Sequence, residues 1–469
     1  MLTRLEADGF KNLVGFSVEF GPCTCIAGPN GIGKSNIFDA IHFLSLLADR
    51  SILEAALHVR ARTGDSARID DLFFRSGDSH RDTFRLAAEM LVDREVRDDF
   101  ARTSEATSTF LRYEIEIGRR TDHAERTDPF ISDMELRSES LSLIRQGDAG
   151  KRLRFPHSKA KFRDAVVKNR RFAKSGYIST EWSQDGEPEI VIHQDGGARG
   201  PGQRAAARTA PKTIVGTTNS IATPTILAAR REMQKWRLLS LEPSAMRQPD
   251  RIRRDPPFVS DNGRYLASAL DRLVRMRSSP DDDVAARISA RLAELVPITG
   301  VDVMRDDVRE LLTLSITEAS GQQFPASAVS DGTLRFLALA VLAEDPEARG
   351  LLCIEEPENG VHPDRLKAMA RLVRDLAVDA DDSLEDGNVM RQVIVATHSP
   401  YFLQLQDPDD VLIAKEVSLS GVQPASRVLR CYSLAKTWRS SADDQRALGP
   451  LMMLEYLQPP EGVRLRMAF

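Results

Sequence analysis

The chain has 469 residues, of which 42% are hydrophobic and 28% charged, and its formal net charge is −5. This length predicts two or three structural units around a large core, and the small net charge neither requires nor excludes nucleic acid as a partner. The longest nearly uninterrupted apolar stretch, 334–343, is shorter than the roughly 20 residues that cross a bilayer. The N-terminus lacks the pattern of a secretion signal, so we expect a cytoplasmic protein without a membrane span. The four cysteines have no zinc or disulfide spacing, which predicts reduced, structural thiols.

The first predicted elements are strands that lead into a glycine-rich loop. Apolar residues alternate up to Ala27, and apolar residues at helical spacing follow Lys34. Between them, Gly-x4-Gly-Lys-Ser matches the phosphate-binding loop, in which backbone N–H groups surround phosphate oxygens. Lys34 would reach the β and γ phosphates and Ser35 would bind Mg²⁺. A chance glycine turn is the alternative, but the flanking strand and helix disfavour it. The predicted nucleotide-binding residues are Gly28, Pro29, Asn30, Gly31, Ile32, Gly33, Lys34, Ser35 and Asn36.

The middle of the chain is predicted to be an insertion. Alternating apolar residues at 84–90 and 113–117 favour an antiparallel lobe. Segment 151–174 then carries ten basic residues and one acid, which makes it a candidate surface for nucleic acid or for an acidic partner protein. The alternatives are a solvated charged loop and a segment whose phenylalanines pack. Segment 195–212 is typical of a mobile loop. The basic residues are Lys151, Arg152, Arg154, Lys159, Lys161, Arg163, Lys168, Arg170, Arg171 and Lys174.

The C-terminal half is predicted to return to the core. Its pattern indicates helices at 265–276 and 284–295, strands at 301–304 and 311–316, helices from about 331 and 363, buried strands at 351–354 and 393–396, strands at 411–417 and 428–432, and an apolar tail at 451–457.

Two glutamates follow the buried strand 351–354. The carboxyl end of such a strand lies beside the phosphate loop, where a metal ion and a water molecule are needed. Glu355 would hold Mg²⁺, and Glu356 would act as the general base that polarises the attacking water. Taken alone this pattern is weak, because buried strands often end in acids.

Two further motifs flank these glutamates along the chain. Ser330-Asp331-Gly332-Thr333 begins a helix and would present hydrogen-bond donors to a phosphate, although a simple helix cap explains it equally well. His398 follows the second buried strand, where it would contact the γ-phosphate or the water; a lone histidine there is more often structural.

The order of these motifs resembles the ABC/SMC class of AAA-family ATPases over residues 1–60 and 320–405. Within that class, several segments resemble the RecF-like and OLD-like ATPases of genome maintenance and antiphage defence. They are Gly9-Phe-Lys-Asn-Leu13, Gly28-Pro-Asn-Gly31, Ser330-Asp-Gly-Thr333, Glu356-Pro-Glu-Asn-Gly-Val-His-Pro363 and Leu239-Ser-Leu-Glu-Pro-Ser-Ala-Met-Arg247. The resemblance implies an α/β ATPase head with a mixed sheet, an antiparallel β-lobe and an inserted helical, basic region. We expect the divisions 1–150, 151–260 and 261–469.

The resemblance also implies a head that dimerises around two ATP molecules with Mg²⁺. Each ATP would lie between Lys34 and Ser35 of one subunit and Ser330, Asp331, Gly332 and Thr333 of the other, with Glu356 and His398 as the catalytic groups and Ser35 and Glu355 as the metal ligands. The chain departs from the class in having Glu355 where aspartate is usual and no clearly placed metal-linked glutamine. It also lacks the heptads of an SMC coiled-coil arm.

The implied role is an ATPase, as a homodimer or higher oligomer, that senses DNA or RNA and controls a separately encoded effector, most simply a nuclease, in antiphage defence. A TOPRIM nuclease domain is not expected in the 70 residues after Ser399. The alternatives are a RecF-like repair ATPase and the ATPase subunit of a membrane transporter. The length of the chain and its Ser-Asp-Gly-Thr motif, in place of Leu-Ser-Gly-Gly-Gln, disfavour a transporter.

Overall fold

The computed structural model describes residues 1–59, 69–77, 79–120, 133–169, 176–195, 202–255, 257–276, 283–385, 387–419, 426–440 and 447–448. The strands are β1 Leu2–Asp8, β2 Phe16–Glu19, β3 Cys23–Ala27, β4 Arg75–Ser76, β5 Ser79–His80, β6 Thr83–Leu91, β7 Glu95–Arg97, β8 Thr103–Glu105, β9 Phe110–Arg119, β10 Met134–Leu143, β11 Ile178–Trp182, β12 Pro188–Ile192, β13 Gln203–Ala206, β14 Trp236–Leu239, β15 Asp250–Arg251, β16 Ile298–Asp306, β17 Leu311–Glu318, β18 Gln323–Pro325, β19 Gly350–Glu355, β20 Arg391–Thr397, β21 Val411–Ser418, β22 Arg427–Leu434 and β23 Ala447–Leu448. The α-helices are α1 Lys34–Leu47, α2 Ile52–His58, α3 Gln146–Arg152, α4 Asp164–Val166, α5 Ile214–Thr217, α6 Pro224–Gln234, α7 Pro243–Met246, α8 Leu266–Arg275, α9 Val284–Ala293, α10 Asp331–Glu344, α11 Leu366–Asp375 and α12 Pro400–Gln404.

One mixed sheet brings together the strands that precede the predicted site residues. Its order is β14-β19-β20-β3-β21-β22-β23, with parallel pairing from β14 through β21 and an antiparallel β22. Every residue of β3 and β20 is buried, as is typical of strands covered on both faces. Because the carboxyl ends of parallel strands meet at one edge, the residues that follow β3, β19 and β20 lie side by side.

A second sheet is entirely antiparallel and contains eight strands. Its order is β13-β12-β11-β10-β9-β6-β1-β2. Helix α1 packs between this sheet and the mixed sheet, and the aromatic rings of Phe10 and Phe43 lie 5.2 and 5.6 Å from that of Phe84 on β6. The predicted antiparallel lobe is therefore confirmed.

A smaller antiparallel sheet packs in the same core as α10. It consists of β15, β17, β16 and β18, and it shares a core with α8, α9, α10 and α11. Leu270, Ile288, Leu337 and Met369 are fully buried in that core. The position of the first turn of α10 is thus set by packing along the helix.

The helices and strands predicted between residues 265 and 432 are present, with bounds that differ by a few residues. The prediction of a loop at 195–212 is wrong for Gln203–Ala206, which form the edge strand β13. Arg204 on this strand pairs with Glu189 and Glu181 across the sheet, and these ion pairs take the place of the apolar alternation that sequence patterns detect. The predicted apolar tail at 451–457 lies outside the described residues.

The four cysteines are buried, and none of them is in a disulfide within the described part of the chain, which agrees with the prediction of reduced, structural thiols. Burial raises the pKa of the Cys23 thiol to about 12, which keeps it protonated at neutral pH. Within the described ranges, no helix is long and apolar enough to span a membrane.

Candidate nucleotide-binding site

The predicted phosphate-binding loop connects β3 to α1 at the edge where the parallel strands end. Gly31 and Gly33 have φ values of 82° and 97°, in the left-handed region that glycine adopts at little cost. Among the described residues, no side chain caps the N-terminus of α1, and its first turn carries no acidic residue. The N–H groups at the start of α1 are therefore not used by a capping side chain, an arrangement that suits an anion.

The Lys34 side chain folds back onto the start of the loop. The residue is only 7% exposed, and its Nζ donates to the carbonyl oxygens of Gly28 at 2.6 Å and Pro29 at 2.8 Å. Burial lowers the pKa of the Lys34 ammonium, while the three glutamates within 355–358 favour its charged form. A positive charge beside the loop amides suits a phosphate better than it suits an apolar ligand.

The segment after β1 supports the loop from behind. Asn12 Nδ2 donates to the Ile32 carbonyl oxygen at 2.9 Å, and Asn12 Oδ1 accepts from Asn36 Nδ2 at 2.8 Å. Lys11 Nζ pairs with the buried Asp39 carboxylate at 2.7 Å. This segment is part of the sequence resemblance, but the sequence gives Asn12 no role, because the strands β2 and β3 separate it from the loop that it contacts.

Glu356 and His398, predicted separately, are in direct contact. His398 Nδ1 lies 2.7 Å from Glu356 Oε1, and Asn359 Nδ2 donates to Glu356 Oε2 at 2.6 Å. Glu356 has a φ of 49°, a conformation that is uncommon outside glycine and that occurs at functional sites. The preceding Glu355 ends β19 with its side chain exposed to solvent. The two neighbouring glutamates thus differ. The Glu355 side chain faces solvent and is suited to a metal ion, whereas each carboxylate oxygen of Glu356 contacts another side chain.

Glu358 is a site residue that the sequence did not single out. The residue is 7% exposed, and its carboxyl group accepts a hydrogen bond from Thr397 Oγ1. Its other oxygen has no hydrogen-bond partner within the described part of the chain. Burial raises the pKa of Glu358, and the bond from Thr397 partly offsets this. The only available signal was its position two residues after Glu356.

The turn 330–333 begins α10, as predicted. The Ser330 side chain accepts from the Thr333 amide at 3.3 Å, which is the helix-cap alternative considered above. Arg247 Nη2 donates to Asp331 Oδ1 at 2.6 Å and to the Val329 carbonyl oxygen at 2.7 Å. Ser330 and Asp331 are themselves exposed, so capping the helix leaves this surface accessible to a ligand or a second molecule.

The basic segment 151–174 is only partly a free surface. Arg152 pairs with Glu89 at 2.8 Å, Arg154 with Glu19 at 3.1 Å and Lys161 with Asp382 at 3.0 Å. Lys151 and Lys159 are exposed. Arg170, Arg171 and Lys174 lie outside the described residues.

Two phenylalanines of this segment belong to a core. Phe155 and Phe162 are 3% and 0% exposed, and their ring centroids lie 6.0 Å apart. The packing interpretation therefore holds for these two residues, and the chain from 153 to 167 is anchored to the body of the protein.

The residues present fit a nucleotide with Mg²⁺. The uncapped helix, the two left-handed glycines and the Lys34 ammonium suit phosphate oxygens. Ser35 follows Lys34 in the first turn of α1, and Glu355 ends β19, which β20 separates from β3. Their side chains supply two oxygen ligands of the kind that Mg²⁺ prefers.

A mixed sheet with a phosphate-binding loop at the carboxyl ends of its parallel strands is the arrangement expected of a nucleotide-binding AAA domain. A family model described as "AAA domain, putative AbiEii toxin, Type IV TA system" matches residues 23–175 and 204–404, more than half of the chain. The chain belongs to this family. The match begins in β3 and ends in α12, so it includes every predicted catalytic and nucleotide-binding residue.

Similarity to individual proteins is more distant. "Structural maintenance of chromosomes protein 1" of Schizosaccharomyces pombe is 28% identical over 132 residues, which are 27% of this chain and 9% of that protein. The SMC head bound to the C-terminal winged-helix domain of ScpA is 17% identical with a TM-score of 0.46, covering 92% of this chain and 98% of that one. The Smc head with an extended coiled coil, bound to the C-terminal domain of ScpA, from Pyrococcus furiosus is 14% identical with a TM-score of 0.43, covering 92% and 96%.

Proposed function

We propose that this protein binds ATP with Mg²⁺ at residues 28–36 and hydrolyses it, using Glu356 as general base. The observation that supports this most directly is the contact of Glu356 with His398, at the strand edge that also carries Lys34. Membership of the AAA ATPase family supports nucleotide binding independently.

The roles of the chain's own groups follow from their positions. The loop amides and Lys34 bind the phosphates, and Ser35 and Glu355 hold Mg²⁺, which supplies charge neutralisation at the phosphates when bound. Glu356 Oε1 lies 2.7 Å from His398 Nδ1, a contact that orients the carboxylate for taking a proton from water. His398 is 40% exposed in its side chain, so it can also reach a ligand in the cleft.

The same proposal makes the active unit a dimer. The turn from Ser330 to Thr333, in which Ser330 and Asp331 are exposed, would complete the ATP site of a second subunit, with its helix N-terminus and the Ser330 hydroxyl directed at the γ-phosphate. Two ATP molecules would then lie between two copies of the chain, and neither site would be complete in a monomer.

For the biological role, we favour a cytoplasmic ATPase that senses nucleic acid and controls a separate effector in antiphage defence. The description of the family, which names a toxin of a type IV toxin–antitoxin system, supports a defence role over a transporter. A RecF-like repair role remains the alternative. Neighbouring genes would separate the two, since a nuclease or toxin gene favours defence and replication genes favour repair.

Two variants test the ATP site. Lys34→Ala should abolish binding of a fluorescent ATP analogue, because the phosphates lose their buried counter-charge.

Glu356→Gln should still bind ATP but should lower kcat by at least about 100-fold, because the general base is lost. It should also accumulate an ATP-bound dimer in size-exclusion chromatography.

The control is Lys367→Ala, which removes an exposed lysine on α11. If Lys34→Ala binds ATP as the wild type does, the nucleotide site is wrong. If Glu356→Gln hydrolyses ATP at the wild-type rate, the general base is another residue.

A further inference from the structure

The Glu356 carboxylate is held at both of its oxygens. Oε1 lies 2.7 Å from His398 Nδ1, and Oε2 accepts from Asn359 Nδ2 at 2.6 Å. The backbone of the same turn is closed by the Asn359 amide, which donates to the Glu356 carbonyl oxygen at 3.0 Å. Asn359 thus fixes both the backbone turn and the side-chain orientation of Glu356.

Asn359 is fixed in turn by a residue of α10. Arg335 Nη1 donates to the Asn359 carbonyl oxygen at 2.7 Å, and Arg335 Nε donates to the Leu241 carbonyl oxygen at 3.2 Å. Arg335 lies five residues after Ser330, at the start of the second turn of α10. One guanidinium therefore spans three segments: α10, the loop after β19 and the segment after β14.

A close backbone contact reinforces this link. A Cβ atom on Gly332 would lie 2.2 Å from the Gly360 carbonyl oxygen, so only glycine fits at position 332. Gly360 has a φ of 81° and turns the chain immediately after Asn359. A displacement of the turn that begins with Ser330 would therefore move the loop that holds Glu356.

We propose that Asn359 is a positioning residue for Glu356, and that Arg335 makes this position depend on the turn at Ser330. This inference rests on the proposed function, in which Glu356 is the base and Ser330 contacts the ATP of the partner subunit. Occupation of one ATP site would then adjust the base of the other site through residues of a single chain.

The first test separates positioning from binding. Asn359→Ala should lower kcat by at least about 10-fold while the Kd for ATP stays within about 3-fold, because only the orientation of the base is lost. Asn359→Ser, which is polar but too short to reach Glu356, should show the same loss. The matched control is Asn219→Ala, an exposed asparagine outside the site. A wild-type kcat in both Asn359 variants would overturn the inference.

The second test asks whether Arg335 acts through Asn359. Arg335→Met keeps most of the side-chain length but removes the donors, and it should lower kcat in the same direction. If both residues act on one carboxylate, the double variant should be no slower than the slower single variant within about 2-fold. The control is Arg309→Met, in the turn between β16 and β17, where the arginine side chain is 78% exposed. Losses that multiply would overturn the link.

The Glu356→Gln background distinguishes this inference from the proposed function. If Glu356 is the base and Asn359 acts through it, adding Asn359→Ala to Glu356→Gln should leave the residual rate unchanged. A further 10-fold loss would overturn the positioning role while leaving the proposed base intact. A wild-type rate of ATP hydrolysis in the Glu356→Gln single variant would contradict both the role of Glu356 as general base and the positioning role of Asn359.

Discussion

At the scale of single residues, Gly33 shows how the loop depends on a contact that its own motif does not contain. Gly33 has a φ of 97°, and a Cβ atom there would lie 2.4 Å from Asn12 Nδ2. Asn12 cannot move freely, because its amide group already bonds Ile32 and Asn36. Any side chain at position 33 therefore meets both backbone strain and a fixed neighbour.

Gly31 provides the matched comparison, since its φ is 82° but a Cβ atom there would have no atom within 4 Å. Both Gly33→Ala and Gly31→Ala should cost about 1 kcal/mol for the left-handed backbone. Gly33→Ala should lower Tm further, because Asn12 must be displaced. Differential scanning calorimetry of the two variants measures the difference, and equal losses would show that the Asn12 contact does not restrict position 33.

At the scale of elements, a buried carboxyl group joins two strands to a short helix. Glu139 on β10 is fully buried and accepts hydrogen bonds from the amides of Ile214 at 2.7 Å and Val215 at 3.0 Å, at the start of α5. The Tyr113 hydroxyl on β9 donates to it at 3.1 Å. Burial raises the pKa of Glu139 to about 7, although these three donors act in the opposite direction.

The raised pKa predicts that stability falls as pH rises. The folded protein keeps the Glu139 proton up to about pH 7, whereas the unfolded chain loses it near pH 4.5. Relative to Glu139→Gln, which cannot ionise, the wild type should therefore lose Tm between about pH 5 and pH 7 and change little above that range. Glu95→Gln, at an exposed glutamate on β7, serves as the control. A constant Tm difference between wild type and Glu139→Gln across this range would contradict the prediction.

At the scale of the whole molecule, the ion pairs at Arg152, Arg154 and Lys161 reduce the charge that segment 151–174 offers to a partner. Lys151 and Lys159 are exposed, and the pair of Lys161 with Asp382 is itself open to solvent, so these three lysines can still meet phosphates. Binding of nucleic acid by this segment therefore stays a prediction, and it now depends on three lysines among the described residues, whereas the sequence offered ten basic residues.

Reversing these three lysines to glutamate should weaken DNA binding and reduce the slope of log K against log salt by about 3, at nearly one unit for each phosphate contact. Filter binding of duplex DNA at several salt concentrations measures both quantities. A control with Arg254, Arg309 and Lys367 reversed has the same net charge but alters other exposed positions. Equal effects of the two sets would show a nonspecific response to charge, and an unchanged slope in the first set would exclude these three lysines as phosphate contacts.

The sequence by itself determined the parts of the site that local pattern encodes. Glycines followed by Lys34 and Ser35, a buried strand ending in Glu355, and a second buried strand before His398 are each contiguous, so periodicity and residue type identify them. If the buried strands are parallel neighbours in one sheet, the residues that follow them meet at one edge. The mixed sheet has β19, β20 and β3 in this parallel arrangement.

Only the tertiary structure decided the contacts between distant segments. Asn12 behind Gly33, Gly332 against Gly360, and Arg335 bonded to Asn359 depend on how α10 and the β1 turn pack. The position of Glu358 two residues after Glu356 gives no sign of its burial or of its hydrogen bond from Thr397, which lies 39 residues further along the chain. The periodicity of apolar residues shows which face of a helix or strand is buried, but it does not show which distant residues pack against that face. The contacts of His398 and Asn359 that orient Glu356, the proposed base, therefore became visible only in the tertiary structure.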